Sequence, residues 1–171
     1  MSTLKETILG LARKSIENYI RDEIVLTPNL KDPFLSQKRA CFVCLKIDGE
    51  LRGCIGSLEA VTENLEEEII KNAIAASVSD PRFPPVTDEE LPHLSYSVDI
   101  LSPLEKTDKS HLDEKKYGVY VKAHGRSGVL LPDLEGVDSV EQQLAIAKAK
   151  AGLPANAEVD IFRFTVERFE C

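Results

Sequence analysis

Apolar residues at helical spacing give the earliest signal along the chain: Leu4, Ile8, Leu11, Ala12, Ile16, Tyr19 and Ile20 recur every three or four positions. Thr3 and Glu6 stand at the capping-box interval, which predicts a helix from Thr3 to Ile20 with a fixed start. Pro28 and Pro33 then restrain themselves and the residues before them, so an extended connector follows. Ala40 to Ile47 and Glu50 to Ile55 are β-rich runs, and the Asp48-Gly49 between them predicts a two-residue hairpin turn. The helical period returns from about Thr62 to Ser77, with Leu65, Ile69, Ala73, Ile74 and Ala76 inward. Glu63, Glu66, Glu67 and Glu68 near its start suit the positive end of the helix dipole and read as a solvated face.

The prolines of Asp80-Pro81-Arg82-Phe83-Pro84-Pro85 end that helix, and Leu94 to Ile100 alternates as a half-buried strand does. Tyr117 to Ala123 and Val129 to Leu131 predict a strand pair around the polar turn His124-Gly125-Arg126-Ser127-Gly128. Ser139 and Gln142 open a helix to about Ala151, Gly152 ends it, and Phe162, Phe164 and Val166 mark a last strand. The expectation is an α+β fold, with a compact mixed or antiparallel sheet core and about three main helices. With no repeat or linker, residues 1–171 read as one domain.

A formal charge of −8 repels a phosphate backbone and makes nucleic acid a poor partner. No apolar run approaches the roughly 20 residues of a membrane span, and no basic-then-apolar leader opens the chain, so a cytoplasmic protein without a membrane partner is expected. Four cysteines in that setting, Cys41, Cys44, Cys54 and Cys171, are expected reduced.

The string Leu51-Arg52-Gly53-Cys54-Ile55-Gly56-Ser57, then Asp80-Pro81-Arg82-Phe83-Pro84-Pro85 and Gly128-Val129-Leu130-Leu131-Pro132, resembles the signature of the AMMECR-one domain family over nearly the whole chain. The stretch Leu131 to Asp138 with the helix after it is similar to one prokaryotic branch, the AmmeMemoRadiSam system protein A. The resemblance implies a mixed α/β body in two unequal lobes. It also implies a Memo-like protein, related to extradiol ring-cleaving dioxygenases, and a radical-SAM enzyme as partners, and it names no cofactor. Cys41 and Cys44 depart from the small or aliphatic residues expected there.

Side chains two apart on a strand share a face, so a regular Glu50–Ile55 strand puts the Arg52 cation beside the Cys54 thiol, where it favours the thiolate. Gly53 and Gly56 would let a ligand or another backbone approach closely. In the competing reading Cys54 fills a core gap, opposite Val43, with Arg52 opposite Leu45. Cys41 and Cys44 fall on opposite sides of a strand and cannot clamp a metal there, and no histidine pair has ligand spacing, so no metal site is expected. Arg82, held stiffly between prolines, either takes a substrate carboxylate or phosphate or pairs with a local acid while Phe83 packs inward. Two functions follow. In one, Cys54 is nucleophile or covalent carrier of a modification system, with Arg52, Gly53, Gly56 and Arg82 around the substrate. In the other, the chain is a non-catalytic adapter recruiting those partners.

Overall fold

Thr3 caps the first helix, α1 (Leu4–Asp22), by accepting the Glu6 N–H while the Glu6 carboxylate accepts the Thr3 N–H, the reciprocal arrangement the spacing implied. The computed structural model describes residues 3–171. They form two compact units, the chain up to Leu101 with Glu167–Cys171, and Ser102–Val166.

In the first unit β1 (Ala40–Ile47) and β2 (Glu50–Gly56) form the antiparallel hairpin, with Asp48 and Gly49 both at positive φ. Helix α2 (Leu65–Val78) starts three residues later than Thr62, after an Asn64 cap, because the Asn64 side chain accepts the Glu67 N–H. After the connector, β3 (Leu94–Leu101) pairs with β1. The sheet order is β2-β1-β3-β8, where β8 (Val166–Glu170) closes the chain. Ile8 and Ile16 of α1 and Leu65, Ile69 and Ala73 of α2 bury Cys41, Val43, Leu45, Val98 and Ile100 from one face.

Glu66 and Glu68 lie in this interior and not on a wet face. Glu66 accepts the N–H groups of Asn29 and Leu30, and Glu68 accepts the Val61 N–H and the Thr62 hydroxyl. A buried carboxylate is tolerated when such donors surround it, and these two anchor the chain on either side of the hairpin.

The second unit is a sheet of order β4-β7-β5-β6, made of β4 (Glu105–Thr107), β5 (Gly118–Ala123), β6 (Arg126–Leu130) and β7 (Asp160–Phe164). Helix α3 (Val140–Lys150), capped by Ser139, covers Val119, Val121 and Leu130 with Leu144 and Ala147. The β5–β6 turn is only His124-Gly125, both at positive φ, so Arg126 to Gly128 belong to the strand. The apolar run near the C-terminus divides at Thr165 into β7 and β8, which lie in different sheets.

Each unit seats one helix on a strand glycine. A Cβ on Gly53 would overlap the Ala76 carbonyl of α2, and one on Gly128 would overlap the Ala147 carbonyl of α3. Only glycine permits that approach.

Candidate functional site

The geometry around the motif is set by a bulge. Ile47 faces Glu50 and Lys46 faces Leu51, but Leu45 faces Gly53, which leaves Arg52 without a partner on β1 and moves the rest of β2 by one position. Cys54 therefore lies opposite Cys44 and not Val43, and the two are joined in a disulfide where reduced thiols were expected.

Gly53 and Ile55 pack towards α2 with Val43 and Leu45, so the Cys44–Cys54 bridge lies on the face turned away from the helices. Arg52 reaches instead to Glu90 in the 3-10 turn Asp88–His93, which packs on α1 through Arg21 and Asp88. No hydrogen bond or ion pair joins the Arg52 guanidinium to Cys54 among the described residues.

What the first strand edge does hold is a second clamp. β2 is an edge strand, and the Cys54 N–H donates to Asp80 Oδ2 at 3.0 Å. The Cys54 carbonyl accepts from Arg82 Nη2 at 3.4 Å. Asp80 follows the end of α2 and is almost wholly buried. Its Oδ1 accepts the Arg82 backbone N–H and Nε, each at 3.0 Å, and its Oδ2 accepts Arg82 Nη2 at 2.8 Å. The Arg82 hydrogen bonds, and next the Cys54 N–H, hold the Asp80 carboxyl far below the usual carboxylate range. Arg82 does pair with a local acid, yet its side chain stays 55% exposed.

Arg52 is bound in the same side-on manner, Nε to Glu90 Oε2 at 2.7 Å and Nη2 to Glu90 Oε1 at 3.1 Å. These bonds lower the Glu90 carboxyl, and Glu90 in turn caps the 3-10 turn through the Thr87 N–H. The Phe83 ring lies within reach of both cations, its centroid 5.5 Å from Arg82 Cζ and 6.0 Å from Arg52 Cζ. In both arginines Nε and Nη2 are spent on a carboxylate, and Nη1 has no hydrogen-bond partner among the described residues. The Arg52 Nη1 is buried and the Arg82 side chain is open.

Gly53 and Gly56 serve the approach of backbone: the Ala76 carbonyl fills the space over Gly53, and the Cys41 carbonyl with Phe42 fills that over Gly56. Cys41 is sealed in the core, and burial pushes its thiol up to about 12. Among the described residues no histidine side chain hydrogen-bonds a cysteine, and no group of three His, Cys, Asp or Glu side chains is placed to hold a metal ion. Nor is any helix among them long and apolar enough to cross a membrane.

Asp80 and Glu90 are site residues that the sequence patterns do not single out. The i, i+2 spacing of Asp80 and Arg82 was the available signal, whereas Glu90 lies 38 positions from Arg52 and meets it only through the fold.

The chain matches the family model described as AMMECR1 over residues 9–169. It is 52% identical over 164 residues to a protein of Thermotoga maritima, covering 93% of this chain and 94% of that one. It is 45% identical to Protein CA_C1420 of Clostridium acetobutylicum over 96% of this chain, which spans only 36% of that longer protein. The crystal structure of the uncharacterized protein PH0010 from Pyrococcus horikoshii superposes with a TM-score of 0.84 at 33% identity, covering 96% of this chain and 89% of that one.

Proposed function

The chain belongs to the AMMECR1 family, and we propose that it is the anion-recognising component of a cytoplasmic modification system, working as one domain at the β2 edge. Arg82 takes a carboxylate or phosphate of the substrate through its free edge, Arg52 positions Phe83 beside it, and Gly53 and Gly56 keep the strand close to its supports. Cys54 acts as nucleophile or covalent carrier when its bond to Cys44 is open. A Memo-like protein and a radical-SAM enzyme supply the remaining chemistry.

The observation that carries this reading is a guanidinium fixed on one side by a buried carboxylate and exposed on the other. The clamp removes the rotamer freedom an arginine normally loses on binding, so the cation is preorganised for a second, planar acceptor. Inorganic phosphate is the probe. Titrated at constant ionic strength, it should shift backbone amide resonances of residues 52–57 and 80–83, and Arg82→Lys, which keeps the charge but loses the fork, should weaken the response about tenfold. Equal responses in the two proteins would remove Arg82 from the proposal.

A non-catalytic adapter is the second reading. Leu51 and Val61, 41% and 59% exposed, flank the motif and offer apolar contact. The longer Clostridium relative supports it as well, since there the matching region accompanies further chain.

A further inference from the structure

The face of the first sheet turned away from the helices carries a hollow of about 190 Å3 lined by Cys44, Lys46, Tyr96, Ser97, Glu170 and Cys171. One lining residue, Cys44, belongs to the Cys44–Cys54 disulfide, and another, Cys171, is a free cysteine. Cys171 follows the end of β8, and its Sγ accepts the Tyr96 N–H at 3.3 Å and donates to the Tyr96 carbonyl at 3.5 Å.

We propose that Cys44, Cys54 and Cys171 form an internal thiol–disulfide exchange site that frees Cys54 without an external reductant. Cys171, as thiolate, attacks the Cys44 sulfur and a Cys44–Cys171 bond forms. The Cys44–Cys54 bond breaks, and Cys54 leaves with the electron pair to take up a proton equivalent to the one Cys171 gave to solvent. One disulfide and one thiol are present before and after, so nothing is oxidised or reduced overall. The direction of attack is set by the hollow, because Cys44 lines it and Cys54 does not.

Bond formation needs the two Cα atoms within about 7 Å. β1 and β8 flank β3, which puts them roughly 10 Å apart at ordinary strand spacing. Cys171 must therefore lift towards β1, and as it lies outside the strand it gives up a single long backbone bond, its N–H to the Tyr96 carbonyl at 3.4 Å, with the two contacts of its sulfur. The inference rests on the covalent role given to Cys54, for which it supplies the way in.

The test is alkylation of the native protein with iodoacetamide and peptide mapping without reduction, for wild type and Cys171→Ser. In wild type both the Cys44–Cys54 and Cys44–Cys171 linkages should be recovered, with Cys54 labelled about tenfold more than in Cys171→Ser and at a rate independent of protein concentration. Buried Cys41 is the internal control and stays unlabelled in both. The proposal is overturned if no Cys44–Cys171 peptide appears, if Cys54 labels equally in the two proteins, or if its labelling rises with protein concentration. Phosphate binding at Arg82 reads out separately, so a failure of exchange and a failure of anion recognition are distinguishable.

Discussion

Gly53→Val should destabilise the fold by on the order of 3 kcal/mol, the upper end for overpacking. The new side chain meets the Ala76 carbonyl, and neither partner can give way easily: Ala76 is backbone in the last turns of α2, and Gly53 is paired to Leu45 within the sheet. Against a total stability of about 5–15 kcal/mol this is a large loss. Gly10 provides the contrast. A Cβ there meets nothing within 4 Å, so Gly10→Ala should gain about 0.5–1 kcal/mol from helix propensity alone. Urea unfolding followed by circular dichroism checks both, and an unchanged midpoint for Gly53→Val would mean that α2 does not rest on β2 as described.

Asp80→Asn should open the β2 edge, lowering the protection of the Cys54 amide from hydrogen exchange about tenfold. Asp80 Oδ1 accepts the Arg82 N–H and Nε and Oδ2 accepts Arg82 Nη2 and the Cys54 N–H, whereas an amide places an NH2 group against one of those pairs. The acid behaviour follows from the depressed carboxyl. Its contribution to stability is fully present above the ordinary aspartate value of about 3.9 and is lost as the pH falls from there through the lower folded value. Wild type should therefore shed stability in strong acid through this group, and Asp80→Asn should lack that part of the loss. Equal Cys54 protection in the two proteins would separate Asp80 from the strand edge.

The elements were legible where local chemistry decides them. Thr3 and Glu6 fix the start of α1, Asp48-Gly49 fixes the hairpin, and the alternation from Leu94 fixes β3. The site was legible in its parts and not in its arrangement. Arg52, Cys54 and Arg82 stand out in the sequence, but the bulge that leaves Arg52 without a β1 partner has no trace in strand periodicity. One slipped position changes the facing residue of Cys54 from Val43 to Cys44, and with it a free thiol into a bridge. The inward Glu66 and Glu68 were hidden for a related reason: the N–H groups they satisfy come from loops whose course no short pattern reveals.

The proposed site requires that the open edge of Arg82 receive an anion. Arginine side-chain nitrogen resonances, followed during addition of inorganic phosphate at constant ionic strength, report on that edge itself. The Arg82 Nη signals should move saturably while those of Arg163, whose Nη1 and Nη2 are both taken by protein acceptors, stay in place. Arg82 signals that remain still, or that move in step with every other arginine, would contradict it.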